Sequence, residues 1–99
     1  MIPPVGLTAR VLSPNTIMVM WSDNALGRNQ RITDSRYYTV RYNAKAARKI
    51  KYVNSTSLNI HIDDLKPNTD YEFAVKVIKG RRESTWSMSV FNKTDESRK

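Results

Sequence analysis

The residues able to do chemistry in this chain of 99 are few, and their spacing does not favour catalysis. Cysteine is absent, which removes a disulfide framework, thiolate metal sites and a thiol nucleophile together. The single histidine, His61, lies in Leu58-Asn59-Ile60-His61-Ile62, where apolar and polar residues alternate. That pattern puts it on the wet face of a strand. Gly6, Gly27 and Gly80 are too scattered for a phosphate-cradling loop or a nucleophile elbow. Asp63-Asp64 precedes Leu65-Lys66-Pro67-Asn68, so this carboxylate pair reads as turn chemistry, and calcium asks for more converging oxygens. Neither an enzyme nor a cofactor or metal site is expected. What remains is charge: 17 Lys and Arg against 9 Asp and Glu leave +8.

Positioning that charge requires a scaffold. The length suits one domain, and nine aromatic residues with 39% hydrophobic content can fill one core. No apolar run approaches the ~20 residues of a membrane span, and Met1-Ile2-Pro3-Pro4 lacks the layout of a signal peptide, so direct membrane insertion of this segment is not expected. Period-two alternation recurs along the chain in short runs divided by turn residues. Leu7, Ala9 and Val11 form the first run, and Ile17, Val19 and Trp21 the second, within residues 16–22. Tyr38, Val40 and Tyr42 then alternate with Tyr37, Thr39 and Arg41. Further strands are predicted at 50–53, 58–62, 71–78 and about 85–91, with residues 43–49 as a connecting loop. Seven strands without a confident helix predict an all-β, antiparallel, two-sheet sandwich. One domain is expected over residues 1–94, with 95–99 a frayed C-terminal linker.

At this point the residues resemble a known family. Trp21, Tyr38-x-Val40-x-Tyr42 and Leu65-Lys66-Pro67-Asn68-Thr69-x-Tyr71-x-Phe73-x-Val75 look like a fibronectin type III domain, an immunoglobulin-like sandwich, over residues 3–94. The last of these segments contains a tyrosine corner, so the resemblance makes Trp21, Leu65 and Tyr71 core framework. Pro3-Pro4-Val5-Gly6, Trp21-Ser22-Asp23-Asn24, Ile32-Thr33-Asp34-Ser35-Arg36-Tyr37-Tyr38-Thr39-Val40-Arg41 and Gly80-Arg81-Arg82-x-Ser84-Thr85-Trp86-Ser87-Met88 are similar, more narrowly, to the fifth such repeat of netrin receptors. That is the deleted-in-colorectal-cancer, neogenin and Frazzled-like family. The resemblance implies the extracellular part of a single-pass cell-surface axon-guidance receptor. Its implied partners are a netrin-type ligand, heparin or heparan sulfate, repulsive guidance molecule and adjacent fibronectin repeats.

In such a sandwich the loop over residues 23–35 and the turn over 79–84 share one end, which should cluster Arg28, Arg31, Lys79, Arg81 and Arg82. Arg41 and Lys76 should point outward from the sheet below. Lys49 and Lys51 share the face of the fourth strand opposite Ile50 and Tyr52, which predicts a basic stripe leading to the loop cluster. Such an array suits a linear polyanion, met by Arg forks and Lys point charges. Nucleic acid is not expected, because no recognition helix or base-stacking motif is present. Trp86 is placed near Arg81 and Arg82, either stacking on a guanidinium or covering one end of the core. For a protein ligand, Tyr37, Ile78, Met18 or Met20 could supply apolar contacts, and the 23–35 loop is longer than a hairpin needs. The sequons Asn54-Ser55-Thr56 and Asn92-Lys93-Thr94 make Asn54, in a predicted turn, and Asn92, at a strand end, candidates for N-glycosylation. The alternative reading is a passive spacer repeat whose charge serves solubility.

Overall fold

The computed structural model describes residues 1–26, 32 and 34–97. It contains β1 (Val5–Ser13), β2 (Thr16–Ser22), β3 (Tyr37–Ala44), β4 (Lys51–Ser55), β5 (Asn59–Ile62), β6 (Asp70–Lys79), β7 (Arg82–Glu83) and β8 (Val90–Lys93). One sheet has the order β1-β2-β5, the other β4-β3-β6-β7, with β8 also paired to β6. Every pairing is antiparallel. The expected all-β sandwich is therefore the observed one.

Alternation explains which face each strand buries. Ile17, Val19 and Trp21 of β2, Tyr38 and Val40 of β3, and Tyr71, Phe73, Val75 and Val77 of β6 all point between the sheets and are buried. The Trp21 and Tyr38 rings meet at 5.5 Å between centroids, and Tyr71 lies 6.4 Å from Phe73. The tyrosine corner is present: the Tyr71 hydroxyl accepts the Lys66 backbone N–H at 2.8 Å, and Leu65 is buried beside it. Trp21, Leu65 and Tyr71 thus form part of the core as expected.

The eighth strand arises because the final strand, predicted over about 85–91, is mostly irregular: residues 84–89 form no strand, and β7, within the predicted turn, and β8 flank them. Glu83 pairs with Ile78 and Val90 with Phe73, so seven steps along the last segment (90 − 83) face five along β6 (78 − 73). Two extra residues must bulge out. Serine hydroxyls keep the irregular stretch docked: Ser84 Oγ accepts Val77 N–H and Ser87 Oγ accepts Val75 N–H, both at 3.0 Å. The serine N–H groups donate in return to the Val77 and Val75 carbonyls, at 2.9 and 2.8 Å. Hydroxyls therefore stand in for ladder carbonyls, and backbone donors in the core stay satisfied. The remaining boundary differences are small: β1 begins at Val5, β3 runs through Ala44, and Ile50 lies outside β4.

Candidate functional site

At the end of the sandwich where β2 finishes and β3 begins, charged groups are built into the core. Asp23 is only 5% exposed and Arg36 8%. Arg36 Nη1 donates to Asp23 Oδ2 at 2.9 Å, and the Tyr38 hydroxyl donates to the same oxygen at 2.8 Å. Asp23 Oδ1 accepts the Ala25 N–H at 2.9 Å. On its other side Arg36 grips Asp34, with Nε to Oδ1 at 2.9 Å and Nη2 to Oδ2 at 2.8 Å. This is the two-pronged geometry in which guanidinium and carboxylate bind best. The hydrogen bonds from Arg36 hold the Asp34 carboxyl well below the usual carboxylate range, and those same bonds raise the Arg36 guanidinium. Burial, followed by the bond to Asp23, raises the Tyr38 phenol. Arg36, Asp23 and Tyr38 were not singled out as a network from the sequence. The available signal was an acid at each end of a long polar segment with an arginine two residues beyond the second acid.

Lys79 is linked to this network through Asp34, at 3.2 Å. Beyond it the chain turns back through Gly80 and Arg81 to Arg82, and the Lys79–Arg82 register makes this a two-residue hairpin turn. Gly80, at φ +60°, supplies the left-handed first position of that turn. The turn leaves Lys79, Arg81 and Arg82 exposed, and with Ser35 and Arg36 they line a shallow depression. The structure thus brings Lys79, Arg81 and Arg82 together. Arg28 and Arg31 lie outside the described residues.

Arg41 and Lys76 point outward from β3 and β6 as predicted. They do not stand alone there. Trp86, from the irregular stretch, lies across this face with the Arg41 guanidinium 4.7 Å and the Lys76 ammonium 4.9 Å from its ring centre. Its ring also reaches Tyr52 of β4, 6.2 Å away. The outward-facing Ala74 is consequently 1% exposed; its small side chain leaves room for the indole. Trp86 therefore stacks on Arg41 and Lys76, so the guanidinium it meets is that of Arg41. Lys76 also pairs with Glu83 at 3.5 Å.

The predicted stripe through Lys49 and Lys51 is not formed. Register pairs Tyr52 with Arg41 and Lys51 with Tyr42. Paired residues share a face, so Tyr52 takes the outward place and Lys51 turns toward the inter-sheet side. Lys49 precedes β4 and lies with Lys51 around a hollow near Lys66. Phe73, level with Tyr42, lies six residue steps along β6 from Lys79, so this second basic group is about 20 Å from the turn cluster. Of the apolar candidates, Tyr37 and Met20 are exposed, Met18 is half-buried, and Ile78 is buried at 8% exposure under its neighbours. His61 sits exposed on β5, opposite Met18. Asn54 lies inside β4 rather than in a turn, exposed, with its Oδ1 accepting from Thr39 Oγ1 at 2.8 Å. Asn92 is half-buried, and its Nδ2, the atom that would carry a glycan, donates to the Ala9 carbonyl at 2.7 Å.

Comparison with known proteins places this geometry. A family model described as the fibronectin type III domain matches residues 2–93. The chain belongs to the fibronectin type III family. Human neogenin is 54% identical to it over 97% of the chain, and rat netrin receptor DCC is 46% identical over 98%. The chain spans about 7% of the length of each of these relatives. A solution structure of a fibronectin type III domain of human contactin 1 superposes with a TM-score of 0.82, covering all of this chain and 82% of that one, at 20% identity. No helix among the described residues is long and apolar enough to cross a membrane.

Proposed function

We propose that this fibronectin type III domain is an extracellular binding module of a netrin-type axon-guidance receptor, and that its basic surface engages sulfated glycosaminoglycan together with a guidance-cue protein. The observation that carries this reading is the exposed trio Lys79, Arg81 and Arg82 on a hairpin turn, with Arg41 and Lys76 on the outer face of the same sheet. Heparin and heparan sulfate present sulfates in a row, and a row of fixed cations without a deep pocket matches that form. The Trp86 ring holds the Arg41 and Lys76 cations by cation–π contact. Similarity to a segment of a netrin receptor supports placement in a receptor ectodomain and makes netrin the natural class of protein ligand.

One feature favours the rival reading of a passive spacer. Lys79 is partnered by Asp34 and Lys76 by Glu83, so two of the five cations are partly neutralised within the domain. Comparing elution from heparin with elution from a sulfonate resin of matched charge density separates the two. A dedicated site needs more salt on heparin, by counterion release. It also predicts that changing Lys79, Arg81 and Arg82 to Ser removes that excess, whereas equal salt on both resins leaves the spacer reading.

A further inference from the structure

A second basic site lies at the opposite end of the sandwich and differs in kind. β4 is the edge of one sheet and β5 the edge of the other. Beside the start of β4, between the end of β3 and the turn that carries the tyrosine corner, is a hollow of about 180 Å³. Its floor is apolar and aromatic, formed by Tyr42, Leu65 and Tyr71. Partial burial of Tyr42 raises its phenol above the ordinary value. Lys49, Lys51 and Lys66 stand at the rim, with Asp64 as the one acid among the lining residues. None of these three lysines has a carboxylate within ion-pair distance among the described residues. Lys66 is held in position, because its own N–H donates to the Tyr71 hydroxyl.

Lysines on an edge strand also discourage sheet-to-sheet pairing. That role requires neither the hollow nor Lys66, which lies off the strand. The hollow is smaller than the roughly 300–1,000 Å³ of ordinary small-molecule pockets and suits one large side chain better than a free metabolite. The edge of β4 leaves backbone donors and acceptors on its outer side for an added extended segment. We infer that the hollow beside the start of β4 is a docking site for an acidic peptide segment of a protein partner, which lies along β4, places one aromatic side chain on Tyr42, Leu65 and Tyr71, and sets its carboxylates against Lys49, Lys51 and Lys66. Aromatic anchor and acidic flanks are both required, which distinguishes this site from the polyanion surface around Arg81.

The test is titration of the isotope-labelled domain with the blocked peptide Glu-Glu-Phe-Glu-Glu, read from amide chemical shifts. Saturable shifts centred on Ala44, Lys51 and Leu65 are expected. Replacing phenylalanine in the peptide by alanine should weaken binding about tenfold or more, the factor expected for losing one buried aromatic contact. The Lys49→Ser/Lys51→Ser/Lys66→Ser variant should lose affinity similarly, and Ala47→Leu should do so by filling the hollow without altering charge. Changing Lys79, Arg81 and Arg82 to Ser should leave peptide binding intact, so this site and the polyanion surface stand or fall separately. Equal binding of the two peptides, shifts centred on Arg81 and Arg82, unchanged affinity of the Ala47→Leu domain, or no saturable binding each overturns the inference.

Discussion

The most consequential single group in the molecule is the Asp23 carboxylate. It neutralises Arg36, accepts from the Tyr38 hydroxyl and caps the Ala25 N–H, all while nearly sealed from water. Removing it leaves Arg36 Nη1 and the Tyr38 hydroxyl buried without this acceptor, while Asp34 continues to pair the guanidinium. Asp23→Ala is therefore expected to lower unfolding free energy by about 3 kcal/mol in urea denaturation, from two buried donors left unsatisfied at roughly 1–3 kcal/mol each. The network also gives the domain an asymmetric pH response. Asp34 has a depressed pKa when folded, so its stabilising effect is present above the unfolded carboxylate value of about 4 and fades only as pH falls through its own lower value. Tyr38 has a raised pKa when folded, so its effect is complete below the unfolded phenol value of about 10 and is lost as pH rises beyond it. Denaturation series from pH 9 to 11.5 should show stability falling, and Tyr38→Phe should flatten that fall. An unchanged slope in the variant would mean that other groups set the alkaline limit.

At the scale of elements, what the sequence shows depends on whether strand periodicity decides the outcome. Tyr38, Val40 and Phe73 declare their inward faces because polar neighbours alternate with them, and the assignment of both central strands follows. The tyrosine corner is equally legible, since its residues are close in sequence. The last strand is not, because Ser84 and Ser87 look like ordinary polar positions until their hydroxyls are seen bonding Val77 and Val75. The basic stripe failed for a related reason. Alternation within β4 says that Lys51 and Tyr52 face opposite ways, but only the register against β3 says which faces out. The network around Arg36 joins residues 13 apart across a loop, a pairing that no local pattern reveals. The β6–β7 turn is the element on which the exposed cations depend. At Gly80 an added Cβ meets nothing within 4 Å, so the effect of Gly80→Ala comes from its left-handed backbone alone. A loss of about 1–2 kcal/mol is expected by thermal or urea unfolding, and no loss would show that the turn can rearrange freely.

At the scale of the whole molecule, charge is divided between two ends of a slab measuring 45 × 28 × 18 Å. The separation of about 20 Å along β6 exceeds the screening length of roughly 8 Å at physiological salt, so the two basic groups act independently toward small ligands. Neutralising Lys49, Lys51 and Lys66 is therefore expected to leave the excess salt needed on heparin nearly unchanged, whereas neutralising the turn trio removes it. Elution profiles of the two triple variants check this directly, and equal losses would mean that one long polyanion engages both ends.

The same slab has a mechanical consequence. Val5, where β1 begins, pairs with Ser22 at the end of β2, whereas Lys93, where β8 finishes, pairs with Asp70 at the start of β6. The two strands therefore leave the sandwich from opposite ends. Tension applied through them slides β1 along β2 and β8 along β6, lengthwise. Ladder hydrogen bonds run across the strands, so they are loaded side by side, in shear, instead of being unzipped one after another. The Asn92 side chain, bonded to the Ala9 carbonyl, ties the two loaded strands together across the seam. By the exit points of its first and last strands, the sandwich is also arranged to bear a pull along its long axis.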